Sequence, residues 1–204
     1  MKRAVVFSAA PINAALQPDV PEADCYICAD GGIKLANSLG ISPDWIVGDF
    51  DSLGYMPEGE NVDSYTAEKD DTDTGLAAQY ALSIGCTEII FYGALGGRLD
   101  HTIANFQTLR MLARHHVRGI FVDEKHWITL QQAGTVRYPK REGYFSLFAM
   151  TEQCTGVTLE GVKYPLQNGI LKNTFPLGVS NQIIADFAIV TIADGELLVI
   201  YARD

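Results

Sequence analysis

The sequence predicts an α/β N-terminal domain on a mostly parallel sheet, followed by an all-β C-terminal sandwich. Three observations predict it. Strand-like and helix-like patterns alternate through residues 1–122. The strand-like runs there are continuously apolar, as strands covered on both faces are. After Val122 the helical period disappears, and short β-like runs follow one another, separated by Gly, Pro, Asn or Asp.

In the first part, Ala4–Phe7, Cys25–Ala29, Trp45–Val47 and Glu88–Tyr92 read as buried strands. Ile33–Leu39 reads as a short helix ended by Gly40. Gly75–Ile84 carries Leu76, Tyr80 and Ile84 at four-residue spacing, with Gly85 placed to end the helix. Thr102–His116 aligns Ile103, Phe106, Leu109 and Ala113 on one side. Its last turn gathers Arg114, His115 and His116, where the helix dipole favours cations.

In the second part the β-like runs are Trp127–Leu130, Thr135–Tyr138, Tyr144–Ala149, Val157–Leu159, Gly169–Leu171, Phe187–Ile192 and Leu197–Tyr201. Asp194-Gly195 between the last two predicts a hairpin. The polar junction Asp123-Glu124-Lys125-His126 sets the expected domains at 1–122 and 123–204.

Composition narrows the function. The 204 residues are 48% hydrophobic, enough for a real core. A formal net charge of −10 argues against nucleic acid, which needs a basic face. Met1-Lys2-Arg3 before Ala4–Phe7 has the look of a short leader, but the apolar run stops at Ser8, and a first strand explains it more simply. No run approaches the ~20 apolar residues of a membrane span. Cys25 and Cys28 form a lone Cys-x-x-Cys inside a strand, where i and i+3 face opposite ways, and no second pair completes a zinc site. All four cysteines are expected to be buried thiols in a reducing cytoplasm.

The chemistry concentrates in seven aspartates in four segments: Ala29-Asp30-Gly31-Gly32, Gly48-Asp49-Phe50-Asp51-Ser52, Lys69-Asp70-Asp71-Thr72-Asp73 and Gly96-Gly97-Arg98-Leu99-Asp100-His101. Asp30 and Asp49 follow expected parallel strands, whose carboxyl ends are where ligands bind. Grouped carboxylates repel unless a cation lies between them, and hard oxygen donors suit Mg²⁺ and hence phosphate. Helix capping is the plainer reading for Asp30, Asp73 and Asp100 taken singly. It leaves Asp49, Asp51 and the crowding of Asp70, Asp71 and Asp73 unexplained. Lys69 and Arg98 are the cations within these segments; Arg98 suits a two-pronged phosphate clamp. No nucleophile–base pair and no Gly-x-x-x-x-Gly-Lys-Ser/Thr loop is present.

In this order the four segments resemble the thiamine pyrophosphokinase family. Leu159-Glu160-Gly161-Val162-Lys163-Tyr164-Pro165-Leu166 and Leu177-Gly178-Val179-Ser180-Asn181 are similar to its C-terminal signatures. The resemblance implies transfer of the pyrophosphoryl group of ATP to the thiamine hydroxyl, giving thiamine diphosphate and AMP. It implies Mg²⁺ on Asp49, Asp51 and Asp73, and Asp71, Arg98 and Asp100 as catalytic residues. Asp30, Lys69, Thr72, Arg98, His101, Ser180 and Asn181 are then the residues for nucleotide and substrate, with Asp71 or Asp100 taking the hydroxyl proton. It also implies a cytoplasmic homodimer with active sites between subunits. The first loop, Ser8-Ala9-Ala10-Pro11, departs from relatives that carry glycines there. Two other readings stand beside this one. A Mg²⁺-dependent phosphohydrolase would use Asp49 and Asp51 as nucleophile and acid. A non-catalytic nucleotide or thiamine sensor would bind ligand and release no AMP.

Overall fold

The computed structural model describes residues 1–12, 19–50, 53–57, 61–64 and 71–204. They form two compact units, Met1–Glu124 and Lys125–Asp204.

The first unit holds β1 (Arg3–Phe7), β2 (Cys25–Ala29), α1 (Gly32–Ser38), β3 (Trp45–Gly48), β4 (Val62–Ser64), α2 (Asp73–Ser83), β5 (Glu88–Tyr92), α3 (Leu99–Arg114) and β6 (Arg118–Val122). Its strands lie in the order β4-β3-β2-β1-β5-β6, and every pairing among them is parallel. Phe7, Phe91 and Phe121 are fully buried, each contributing about 1.5–3 kcal/mol by leaving water. Phe91 meets Phe121 edge to face at 5.0 Å. At the amino ends of the strands the buried carboxylate of Glu88 accepts from Arg3 Nε at 2.7 Å, and Arg118 Nη1 lies 3.5 Å from its other oxygen.

The apolar runs become strands as expected. Two strands have no counterpart among the expected ones. β4 is three residues long and polar; β6 follows α3 closely and opens with Arg118-Gly119. The helix faces differ too. α2 buries Thr74, Gly75, Ala77, Ala78 and Ala81 rather than the Leu76–Tyr80–Ile84 row. Small residues let the helix lie close on the sheet, while Tyr80 stacks on Trp45 with ring centroids 4.4 Å apart. α3 buries Asn105, Thr108, Leu109, Leu112 and Ala113, and Ile103 is exposed. Gly85, at φ 80°, ends α2 as expected.

The second unit holds β7 (His126–Gln131), β8 (Gly134–Pro139), β9 (Tyr144–Ala149), β10 (Gln153–Glu160), β11 (Leu166–Lys172), β12 (Phe187–Ile192) and β13 (Leu197–Ala202). They form two antiparallel layers, β7-β13-β9 and β11-β10-β12-β8. One core takes side chains from both layers: Tyr138, Val157 and Val190 from one, Phe145, Leu147 and Val199 from the other. Inward residues recur at period two, as Ala188, Val190 and Ile192 do along β12.

The expected β12–β13 hairpin is corrected. The two strands lie in different layers. The linking residues bond outward instead: Ala193 N and Asp194 N donate to Thr155 O, Thr155 N to Asp194 O, and Met150 N to Glu196 O. The Asp-Gly pair therefore carries the chain across the core.

All four cysteines are buried free thiols. No helix among the described residues is long and apolar enough to cross a membrane.

Candidate active site

The sheet order reverses between β1 and β5, so ligands are expected beyond the carboxyl ends of the strands at that point. β1 runs into Ser8, whose N–H donates to Tyr92 O at 2.7 Å; Ala10 N donates to Gly93 O at 2.9 Å. β2 runs into Asp30, whose N–H donates to Val47 O of β3 at 2.7 Å, and β3 runs into Asp49. Asp30 and Asp49 thus leave adjacent strands at one edge.

The backbone there is unusual. Asp30 has φ 46° and Phe50 has φ 59°, both left-handed. Aspartate tolerates that region; for phenylalanine it is uncommon and costs energy. Phe50 is buried, which holds the Asp49–Phe50 turn in place. α1 starts directly over the end of β1: a methyl group at Gly32 would collide with the Phe7 carbonyl.

None of the three aspartates read as caps is one. The N-caps of α1, α2 and α3 are Gly31, Thr72 and Arg98. The Thr72 hydroxyl accepts from Gly75 N at 3.0 Å. Asp73 and Asp100 sit inside first turns, where the helix dipole favours a carboxylate. Asp71 precedes α2 and accepts twice, from Thr72 N at 2.7 Å and from Gln79 Nε2 at 2.5 Å.

Two contacts tie these loops to the sheet. Ser8 Oγ and Thr74 Oγ1 lie 2.9 Å apart, and both residues are buried. That bond brings the amino end of α2, with Asp71 and Asp73, to the end of β1. Asn105, buried on α3, donates from Nδ2 to Ala94 O at 2.6 Å and holds the loop after β5.

Beyond that loop Arg98 and Asp100 form a two-pronged pair, Nη2 to Oδ2 at 2.6 Å and Nε to Oδ1 at 3.1 Å. Both side chains are largely exposed. The hydrogen bond from Arg98 holds the Asp100 carboxyl below the usual carboxylate range, and its counterpart raises the Arg98 guanidinium. Asp100 is therefore a poor proton acceptor while the pair stays closed.

In the second unit Ser180 is exposed at φ 59°, and its N–H donates to Ser146 Oγ at 2.9 Å. Asn181 is buried. Its Oδ1 accepts from Tyr164 N at 3.0 Å and Gln182 N at 2.9 Å, and its Nδ2 donates to Tyr164 O at 2.8 Å. Its amide is thus spent on clasping the Tyr164 turn. The turn walls a hollow of about 280 Å³, with Pro165, Leu166, Leu177 and Val179.

Comparison with known proteins gives the family. The family model for the thiamin pyrophosphokinase catalytic domain matches residues 18–121, and that for its vitamin B1 binding domain matches residues 133–197. The chain belongs to the thiamine pyrophosphokinase family.

The thiamine pyrophosphokinase of Bacillus subtilis is 30% identical over 217 residues, covering 100% of both chains. A crystal structure of the Bacillus subtilis enzyme superposes with a TM-score of 0.88 at 28% identity, covering 100% of both chains. The thiamin pyrophosphokinase structure from Geobacillus thermodenitrificans gives 0.84 at 28% identity, covering 100% of this chain and 98% of that one. The protein is an enzyme, a thiamine pyrophosphokinase that makes thiamine diphosphate, and the phosphohydrolase and sensor readings are not favoured.

Within this thiamine pyrophosphokinase, Asp30, Asp49, Asp71, Thr72 and Asp73 lie in the loops and first turns described above. Arg98, Asp100 and His101 open α3, and His101 N donates to Asp100 Oδ1 at 3.0 Å. Asp51, Lys69 and Asp70 lie outside the described residues. Among the described residues no group of three His, Cys, Asp or Glu is close enough to hold a metal. Ser8, Thr74, Gln79 and Asn105 were not anticipated. Hydroxyl and amide side chains carry no spacing signal, and only the Ser8-Ala9-Ala10 departure from glycine hinted at one of them.

Proposed function

We propose that pyrophosphoryl transfer takes place at the carboxyl edge of the parallel sheet. Residues 1–122 would carry ATP and Mg²⁺, and residues 123–204 thiamine and the dimer contact. The reading rests on one relationship: adjacent strand ends deliver Asp30 and Asp49, and the Ser8–Thr74 bond ties the Asp71–Asp73 turn to the same sheet.

These are hard oxygen donors, a set that suits Mg²⁺. Asp49, Asp51 and Asp73 would hold the ion. When bound, Mg²⁺ supplies charge neutralisation to the phosphates. Asp30, Lys69, Thr72 and His101 bind nucleotide and substrate. Ser180 faces thiamine, and Asn181 serves it through the Tyr164 turn.

The thiamine hydroxyl oxygen attacks the β-phosphorus of ATP. The bond from that phosphorus to the oxygen bridging the α-phosphate breaks, and AMP leaves with that oxygen. Asp71 takes the hydroxyl proton, since Asp100 is held in its pair with Arg98. Arg98 brings positive charge to the moving phosphates, and Asp100 fixes the direction of its guanidinium. Positioning and charge carry most of the rate in such transfers.

The test is product analysis with Mg²⁺ and ATP, with and without thiamine. AMP is expected only with thiamine, and chelation of Mg²⁺ is expected to abolish it. Asp51→Asn is expected to lower turnover by orders of magnitude with the fold intact; unchanged activity would remove Asp51 from the metal ligands.

The active site is completed between two copies in a homodimer. Mixing an Asp49→Asn chain with an Asn181→Ala chain should then restore part of the lost activity. No recovery on subunit exchange would confine each site to one chain. The four free thiols suit the reducing cytoplasm, and fractionation of cells locates the enzyme.

A further inference from the structure

Asp71 lies outside the helix it precedes, on a short side chain that is free to rotate unless something fixes it. Three contacts do so, one on each oxygen and one beneath. Thr72 N donates to Oδ1 at 2.7 Å. Gln79 Nε2, from the second turn of α2, donates to Oδ2 at 2.5 Å. Gly75 lies under the carboxylate, and any side chain there would overlap all three carboxylate atoms. The Thr72 hydroxyl is occupied by Gly75 N, so the first turn of α2 is itself held while it carries the seat.

We propose that Gln79 is a positioning residue for the reaction, acting with Gly75 to seat the Asp71 carboxylate. This rests on the reading that Asp71 accepts the thiamine hydroxyl proton. An ionised carboxylate has about four lone-pair sites, and the two bonds use one on each oxygen, so each oxygen keeps a site for the incoming proton. The amide is the fitting group. A glutamate at 79 offers an acceptor to an acceptor, and a leucine of similar size offers no donor. Both partners are exposed, so the bond adds little to folding; what it restricts is orientation.

The experiment compares Gln79→Leu and Gln79→Glu with Asp71→Ala and the double variant Asp71→Ala/Gln79→Leu. It reads kcat, KM for each substrate and thermal midpoint, with radiolabelled ATP for weak turnover. Either Gln79 variant is expected to lower kcat about 10- to 100-fold, with KM for ATP and the melting midpoint unchanged. Gln79→Leu should cost nothing further once Asp71 is alanine. Normal kcat in both Gln79 variants, beside a strongly impaired Asp71→Ala, would overturn the seat alone. So would a full loss from Gln79→Leu in the Asp71→Ala background. Normal kcat in Asp71→Ala would instead remove the role given to Asp71, and the seat with it.

Discussion

Ser8 Oγ and Thr74 Oγ1 share a hydrogen bond of 2.9 Å in the interior, joining the end of β1 to the first turn of α2 across 66 residues of sequence. Each hydroxyl has left water to make it, so losing one partner strands the other. Thr74→Val, close to isosteric, is expected to lower stability by about 1–3 kcal/mol, and Thr74→Ser to restore most of it. Urea midpoints at constant m-value measure this. A Thr74→Val enzyme as stable as the parent would show that the bond holds nothing.

The Arg98–Asp100 pair makes a prediction about pH. The Asp100 carboxyl is depressed, chiefly by the hydrogen bond from Arg98. A depressed carboxylate contributes above its unfolded value and loses that contribution as pH falls through the folded one. The pair should therefore persist throughout the neutral range and open only in acid, below the ordinary aspartate range. Carbon-13 titration of Asp100 reads the midpoint, and Arg98→Ala should raise it. A midpoint at or above that of free aspartate would mean that the pair is open in solution.

The Asn181 side chain makes three hydrogen bonds to the backbone of Tyr164 and Gln182. Asn181→Ala should release the Tyr164 turn, lower stability by about 1–3 kcal/mol and raise KM for thiamine far more than KM for ATP. Equal changes in both constants would separate the clasp from the thiamine side of the reaction.

Burial pushes the Cys28 thiol up to about 12 and the Cys25 thiol up to about 11, the latter helped by the Asp44 carboxylate. At pH 8 both stay protonated and out of reach. A disulfide-exchange dye should label the native enzyme slowly and the denatured chain at all four cysteines. Fast labelling with loss of activity would contradict this.

Much of this was legible because continuous apolar runs ending in Gly or Asp have few structural solutions. Cys25–Ala29, Glu88–Tyr92 and Tyr144–Ala149 occur with their expected bounds. Val62-Asp63-Ser64 pairs with β3 at the edge of the sheet, and so short a run with two polar residues carries no strand pattern. The α2 face was misjudged because alanines bury well but score weakly as apolar, while Tyr80 is only half-buried against Trp45. Asp194-Gly195 has the local chemistry of a tight turn, yet the partners waiting at Thr155 and Met150 outbid it. At the site, carboxylates at strand ends were readable from charge. Gln79 beside Asp71 and Thr74 beside Ser8 were not, because one partner lies two turns away and the other just past the end of β1.

β13, the last described strand in the chain, lies between β7 and β9 and bonds to both. During synthesis the earlier two strands must wait on the ribosome with their facing backbone groups unmatched. The second unit can close only when the ribosome has made almost all of it, whereas β1–β6 have all emerged well before. Chains stalled short of Leu197 should carry a settled first unit and a second one exposed to chaperones and proteases.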